Sequence, residues 1–96
     1  MLTQEQRDSQ VAPGVTLPNG WLCVLAQHVG PEQRDGVVLA ENAANAHPYA
    51  TWAVRWRKDA EGRWYPSTMH GEYVATLVEA LESYRVRLAE HQAFFG

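Results

Sequence analysis

The stretch Tyr49-Ala-Thr-Trp-Ala-Val-Arg-Trp-Arg-Lys-Asp-Ala-Glu-Gly-Arg-Trp-Tyr65 constrains this fold more than any other part of the chain. Asp59-Ala60-Glu61-Gly62 has Asp at the first position and Gly at the fourth. That is the chemistry of a type I turn closed by a left-handed glycine, which joins two antiparallel strands through a three-residue connection. Such a turn pairs Asp59 with Arg63. Counting back sets Lys58 opposite Trp64, Arg57 opposite Tyr65 and Trp56 opposite Pro66, and strand alternation sorts the side chains onto two faces. Trp52, Val54, Trp56 and Trp64 share one face; Thr51, Arg55, Arg57, Arg63 and Tyr65 share the other. An apolar set on one side, with three guanidiniums and a phenol on the other, predicts a sheet packed on one face and wet on the other. Pro66 brings no N–H to a ladder, so the second strand is predicted to be an edge there.

Upstream, Met1 to Asn19 is polar and broken by Pro13, Gly14 and Pro18. Thr3 and Gln6 have capping-box spacing, enough for a helical turn or two. Leu2 and Val11 make no amphipathic stripe, so residues 1–19 read as an N-terminal arm free to fray, and residues 20–96 as one α+β domain. Trp21 to Val29 is almost continuously apolar, which predicts a central strand buried on both faces. Gly30 to Gly36 is a loop by composition, Val37 to Glu41 returns as the next strand of a meander, and Asn42 to Pro48 is a second loop.

Downstream, Ser67 to Ala75 reads as extended or looped. Thr76 and Glu79 then have capping-box spacing before an apolar-periodic run, which starts a helix at Leu77. Leu77, Ala80, Leu81, Tyr84 and Leu88 form one stripe that Phe95 continues, while Glu79, Glu82, Val86 and Glu90 lie opposite. Glu82 with Arg85, and Arg87 with Glu90, have the spacing of helical ion pairs. The predicted fold is therefore α+β. It is a small antiparallel sheet of about four strands, near 20–29, 36–41, 49–58 and 62–67, with one C-terminal helix from about 77 to 91 packed across the tryptophan face.

A chain of 96 residues is the size of one domain and buries roughly 60–70% of its unfolded surface. Charge is unevenly placed along it. Residues 1–48 carry Arg7 and Arg34 against Glu5, Asp8, Glu32, Asp35 and Glu41, while residues 69–96 carry Arg85 and Arg87 against Glu72, Glu79, Glu82 and Glu90. Only the hairpin is basic, with Arg55, Arg57, Lys58 and Arg63 against Asp59 and Glu61. The overall charge of −3 has neither the excess of a typical nucleic-acid binder nor the dense acidity of a nucleic-acid mimic. The longest apolar stretch, Trp21 to Ala26, is far too short to span a bilayer, and no basic segment followed by an apolar core opens the chain. The single Cys23 sits in an apolar run and has no cysteine partner for a disulfide or zinc, so it reads as a small buried hydrophobe. A reducing cytoplasm is the expected compartment, with no membrane association.

The residues that carry chemistry are scattered. His28, His47, His70 and His91 share no His-x-x-x-His or Glu-x-x-His spacing, and there is no glycine-rich phosphate loop and no Gly-x-Ser-x-Gly. His70 and Glu72 read as a surface pair, and Glu79 with Glu82 as a solvated helix face. No catalytic residue, metal site or cofactor is predicted, and the chain is read as a non-enzyme.

Two binding functions remain. One is a small protein-interaction or assembly module, of the kind phage and mobile elements use as accessory proteins. It would dock a protein partner or a second copy of itself, as a homodimer, through exposed aromatics such as Tyr65, Phe94 and Phe95. The other is nucleic-acid binding by the Arg55, Arg57, Arg63 and Tyr65 face, with arginines on phosphates or guanine edges and the tyrosine stacking. Trp52-Ala-Val-Arg55, Asp59, Gly62-Arg63 and Thr76-Leu-Val-Glu-Ala80 together resemble the layout of the AP2-like amino-terminal DNA-binding domains of phage-type integrases, three strands and a covering helix. The resemblance covers the second half of the chain. It implies that Arg55, Arg57 and Arg63 enter a major groove. His70-Gly-Glu-Tyr-Val-Ala75 departs from it by placing a carboxylate in a third strand that is basic in that family, and the protein-interaction reading ranks first.

Overall fold

The computed structural model describes residues 1–95. Its elements run α1 Gln4–Gln10, β1 Leu22–Val29, a short 3-10 turn Pro31–Gln33, β2 Asp35–Glu41, β3 Tyr49–Lys58, β4 Trp64–Val74 and α2 Leu77–Phe95. The strands form one antiparallel meander in the order β1-β2-β3-β4. The class is α+β: a four-stranded sheet with a C-terminal helix packed against it and a short N-terminal helix.

The central hairpin has the geometry its sequence dictates. Asp59 Oδ1 accepts from the backbone N–H of Glu61 and of Arg63, each at 2.9 Å, and Gly62 takes φ 80°, which its missing Cβ makes inexpensive. The register pairs Lys58 with Trp64, Arg57 with Tyr65 and Trp56 with Pro66. β4 continues past the predicted end near 67 because its backbone stays laddered to β3 as far as Val74. His70 and Gly71, loop-like in sequence, form a bulge opposite Trp52, with His70 at φ 55°. Gly71 has a packing reason as well: a Cβ there would stand 2.5 Å from Trp52 Nε1.

The structure corrects the placement of the covering helix. Alternation puts Ala50, Trp52, Val54 and Trp56 on one face of β3 and Thr51, Ala53, Arg55 and Arg57 on the other. α2 lies on the second face. Its buried Ala80 and the Thr51 to Ser83 hydroxyl contact of 2.7 Å mark the closest approach. Thr51 and Ala53 are small, and together with Val37 and Leu39 of β2 they make a floor on which a helix can sit closely. The helix is consequently rotated from the predicted stripe. Ala80, Ser83, Tyr84, Arg87, Leu88 and His91 turn inward, whereas Leu77 and Leu81 are each 42% exposed.

The tryptophan face is covered by residues 1–21 instead. Leu2, Val11, Leu17 and Trp21 are buried and cluster with Cys23, Val38, Ala40, Trp52, Val54 and Trp56. Trp21 packs edge-on against Trp52 with centroids 5.3 Å apart, and Tyr73 closes the cluster at 5.7 Å from Trp21 and 5.8 Å from Trp52. The segment expected to be an arm thus supplies Leu2, Val11 and Leu17 to the core. Its helix is capped by Thr3 and Gln6, whose side chains each bond the other's backbone N–H.

β1 is an edge strand, not the central one its apolar run predicted. Nor is it buried on both faces: only Cys23 and Val29 are buried, Leu22 is exposed and Val24, Leu25 and Ala26 are half-buried, because the N-terminal segment and α2 each cover only part of it. The outer edge of β1 is partly closed by the same N-terminal segment, through Gly14 N–H to the Cys23 carbonyl and Cys23 N–H to the Val15 carbonyl, both 2.9 Å.

Candidate functional site

α2 is narrower than the face it covers. Between it and β4 runs a groove of about 1130 Å³. The sheet contributes Ala53, Arg55, Met69, His70, Glu72 and Val74; the helix contributes Val78, Glu79, Glu82, Val86, Glu90, Phe94 and Phe95, among others. Several apolar side chains here are strongly exposed, with Phe94 at 83%, Val78 at 76% and Val86 at 41%. Exposed apolar groups clustered along one groove make it the candidate site.

The helix is fixed at both ends of this groove. Glu79 N–H donates to Thr76 Oγ1 at 3.2 Å, and that hydroxyl donates to Glu79 Oε1 at 2.9 Å, so the carboxylate reaches the Thr76 side chain and not its N–H. Near the other end, Phe95 packs on Gly30, where an added Cβ would meet the ring at 3.0 Å, and Phe94 stands edge-on to Phe95 with centroids 5.0 Å apart. Of the two predicted interface phenylalanines, Phe95 is therefore half-buried and Phe94 is the free one. The predicted Glu82 to Arg85 pair is present at 2.7 Å and holds the Glu82 carboxyl below its usual range. The predicted Arg87 to Glu90 pair is not formed: the Arg87 guanidinium, turned toward the sheet, donates to the His70 carbonyl.

Tyr65 lies elsewhere. It lines a second cleft, of about 530 Å³, with Arg34, Arg55, Trp56, Arg57 and Lys58. Four cations and no carboxylate line this space. Arg34, absent from the hairpin reading, is brought in because its carbonyl accepts the Trp56 N–H at 2.8 Å. Arg34 and Lys58 each sit 5.0 Å from the Trp64 ring centroid, a cation–π arrangement that keeps both near the hairpin. Arg55 and Arg57 are exposed and make no ion pair among the described residues. Arg63 does not join them. It is held by Asp59 and Glu61 of its own turn, and the N–H of Arg63 keeps the Asp59 carboxyl below its usual range.

The structure thus separates the predicted site residues into two neighbouring surfaces that share Arg55: Phe94 and Phe95 in the groove, Arg57 and Tyr65 in the cleft. The groove residues Val78, Val86 and Met69 were missed. The available signal was Val86, an apolar residue on the acidic side of the predicted helix. Among the described residues no group of three or more His, Cys, Asp or Glu is placed to hold a metal ion, and no helix is long and apolar enough to cross a membrane. His70 and Glu72 both reach the groove but share no hydrogen bond, and His91 is occupied by donating Nδ1–H to the Arg87 carbonyl at 2.8 Å. Comparison with protein-family models, with curated proteins and with solved structures finds no match for this chain.

Proposed function

We propose that this chain is a small non-enzymatic protein-interaction module, and that it docks its partner in the groove between α2 and β4. The observation that carries this reading is the exposure of Val78, Val86 and Phe94 along one groove whose floor includes Met69 and Val74. Phe94 is the leading anchor. It is aromatic, exposed and backed by Phe95, the arrangement from which interface hot spots are built.

Nucleic-acid binding is the second reading, and the cleft lined by Arg34, Arg55, Arg57 and Lys58 favours it. It ranks lower because Arg55 also borders the groove, where Asp35, Glu72, Glu79, Glu82 and Glu90 concentrate negative charge. A duplex lying along the sheet would bring its phosphates onto those carboxylates.

One comparison separates the readings. Under the interaction reading, a protein captured by the wild-type chain is lost with Phe94→Ala and kept with an Arg55→Ala, Arg57→Ala double variant. Under the other, duplex DNA binds with a steep salt dependence, about 0.9 in log–log slope per phosphate contact, and the arginine variant flattens it. DNA binding of that kind with no Phe94-dependent capture reverses the ranking.

A further inference from the structure

The groove's rim and its neighbouring strand edge restrict what can enter it. The rim is acidic: Asp35, Glu72, Glu79 and Glu90, with Glu82 already paired to Arg85, stand against Arg55 and Arg87, and Arg87 is engaged by the His70 carbonyl.

The edge of β4 offers an added strand only a broken ladder. The Asp59 N–H to Arg63 carbonyl bond of 2.9 Å makes that pair hydrogen-bonded. By antiparallel alternation Trp64 and Pro66 then aim their backbone groups outward. The Trp64 carbonyl is taken by Gln10 Nε2 at 2.9 Å, and Pro66 has no N–H to offer. The bulge at His70 and Gly71 interrupts the remainder of the edge. That edge favours a partner bound by its side chains over one that extends the sheet. The groove follows α2, a helix of 19 residues and so about 28 Å long, which suits several turns of a second helix.

Resting on the interaction reading above, we infer that the occupant is a cationic amphipathic helix of another protein, its apolar stripe on Met69, Val78, Val86 and Phe94 and its lysines or arginines on the carboxylate rim. A second copy of this chain fits less well. A twofold interface places each surface on itself, and α2 paired antiparallel about its midpoint Val86 would set Glu82 against Glu90 of the other copy.

The test uses the full chain and two designed helical peptides of the same apolar stripe, one of leucine and lysine and one of leucine and glutamate. Fluorescence anisotropy is expected to show binding of the lysine peptide. A Val78→Ser, Val86→Ser variant should weaken it about tenfold or more, and so should a Glu72→Gln, Glu90→Gln variant. All four positions are exposed or flank the open groove, so folding is retained, and circular dichroism verifies it. A lysine peptide insensitive to the valine changes overturns the inference, since charge alone then attracts it. Tight binding of the glutamate peptide, lost in the valine variant, overturns the cationic class while leaving the groove as a docking site. Self-association in light scattering that the valine variant abolishes also overturns it, because the occupant is then a second copy. Binding of neither peptide, with a monomeric chain, overturns the inference; the interaction reading then stands or falls on Phe94-dependent capture.

Discussion

The hydroxyls of Thr51 and Ser83 lie 2.7 Å apart, Thr51 fully buried in the first half of β3 and Ser83 half-buried on α2. This contact registers the helix on the face opposite the tryptophans. Ser83→Ala leaves the Thr51 hydroxyl without its side-chain partner and should cost about 1–3 kcal/mol in urea melts. Adding Thr51→Val to that variant should recover much of the loss, because an apolar pair of similar shape leaves nothing unsatisfied. A double-mutant cycle with no coupling would mean that the helix does not rest there.

The two covers of the sheet predict opposite outcomes for two residues. Trp21→Ala removes an indole packed edge-on against Trp52 and should cost about 3–5 kcal/mol. Leu81→Ala, which a core stripe would make expensive, should cost less than about 1 kcal/mol because Leu81 is 42% exposed. Denaturant midpoints for the two variants check this directly.

Acid should weaken the fold through His28. Burial first, and then the Arg7 charge, hold its imidazole below the usual value, with Asp8 opposing. The unfolded chain takes up this proton near pH 6.5, while the folded chain resists until lower pH. The unfolded state therefore binds more protons as pH falls below about 6.5, and stability declines over that window. Unfolding midpoints measured between about pH 7 and pH 5 should drop, and His28→Phe should reduce the drop.

Cys23 should be chemically silent in the folded chain. It is 1% exposed, and burial pushes its thiol up to about 11. Thiol-specific reagent at mildly alkaline pH should react only through opened molecules, and so faster in urea, because the thiolate is the nucleophile and forms once the thiol is exposed.

The hairpin was legible residue by residue because its turn is set by local chemistry: Asp59 and Gly62 fix the register, and alternation does the rest. The two helix caps, Thr3 with Gln6 and Thr76 with Glu79, were legible for the same reason. Which surface covers which face was not, because β3 viewed alone shows tryptophans on one side and arginines on the other. The informative strand was β2, whose Val37, Val38, Leu39 and Ala40 are all buried and so demand a cover on each face. One helix cannot be both. The second cover is Leu2, Val11, Leu17 and Trp21, spaced too irregularly for periodicity to reveal. The aromatic candidates Phe94 and Phe95 fell in the groove, but its valines and the contribution of Arg34 to the cleft depend on long-range packing that no local pattern encodes.

The central claim, that the groove between α2 and β4 is the docking surface, is tested most directly by mapping amide chemical shifts on titration with the leucine and lysine peptide. The account predicts that perturbations concentrate at Met69, Val74, Val78, Val86 and Phe94, with Arg57, Lys58 and Trp21 little changed. Shifts concentrated at Arg57, Lys58 and Tyr65, or spread evenly over the chain, would contradict it.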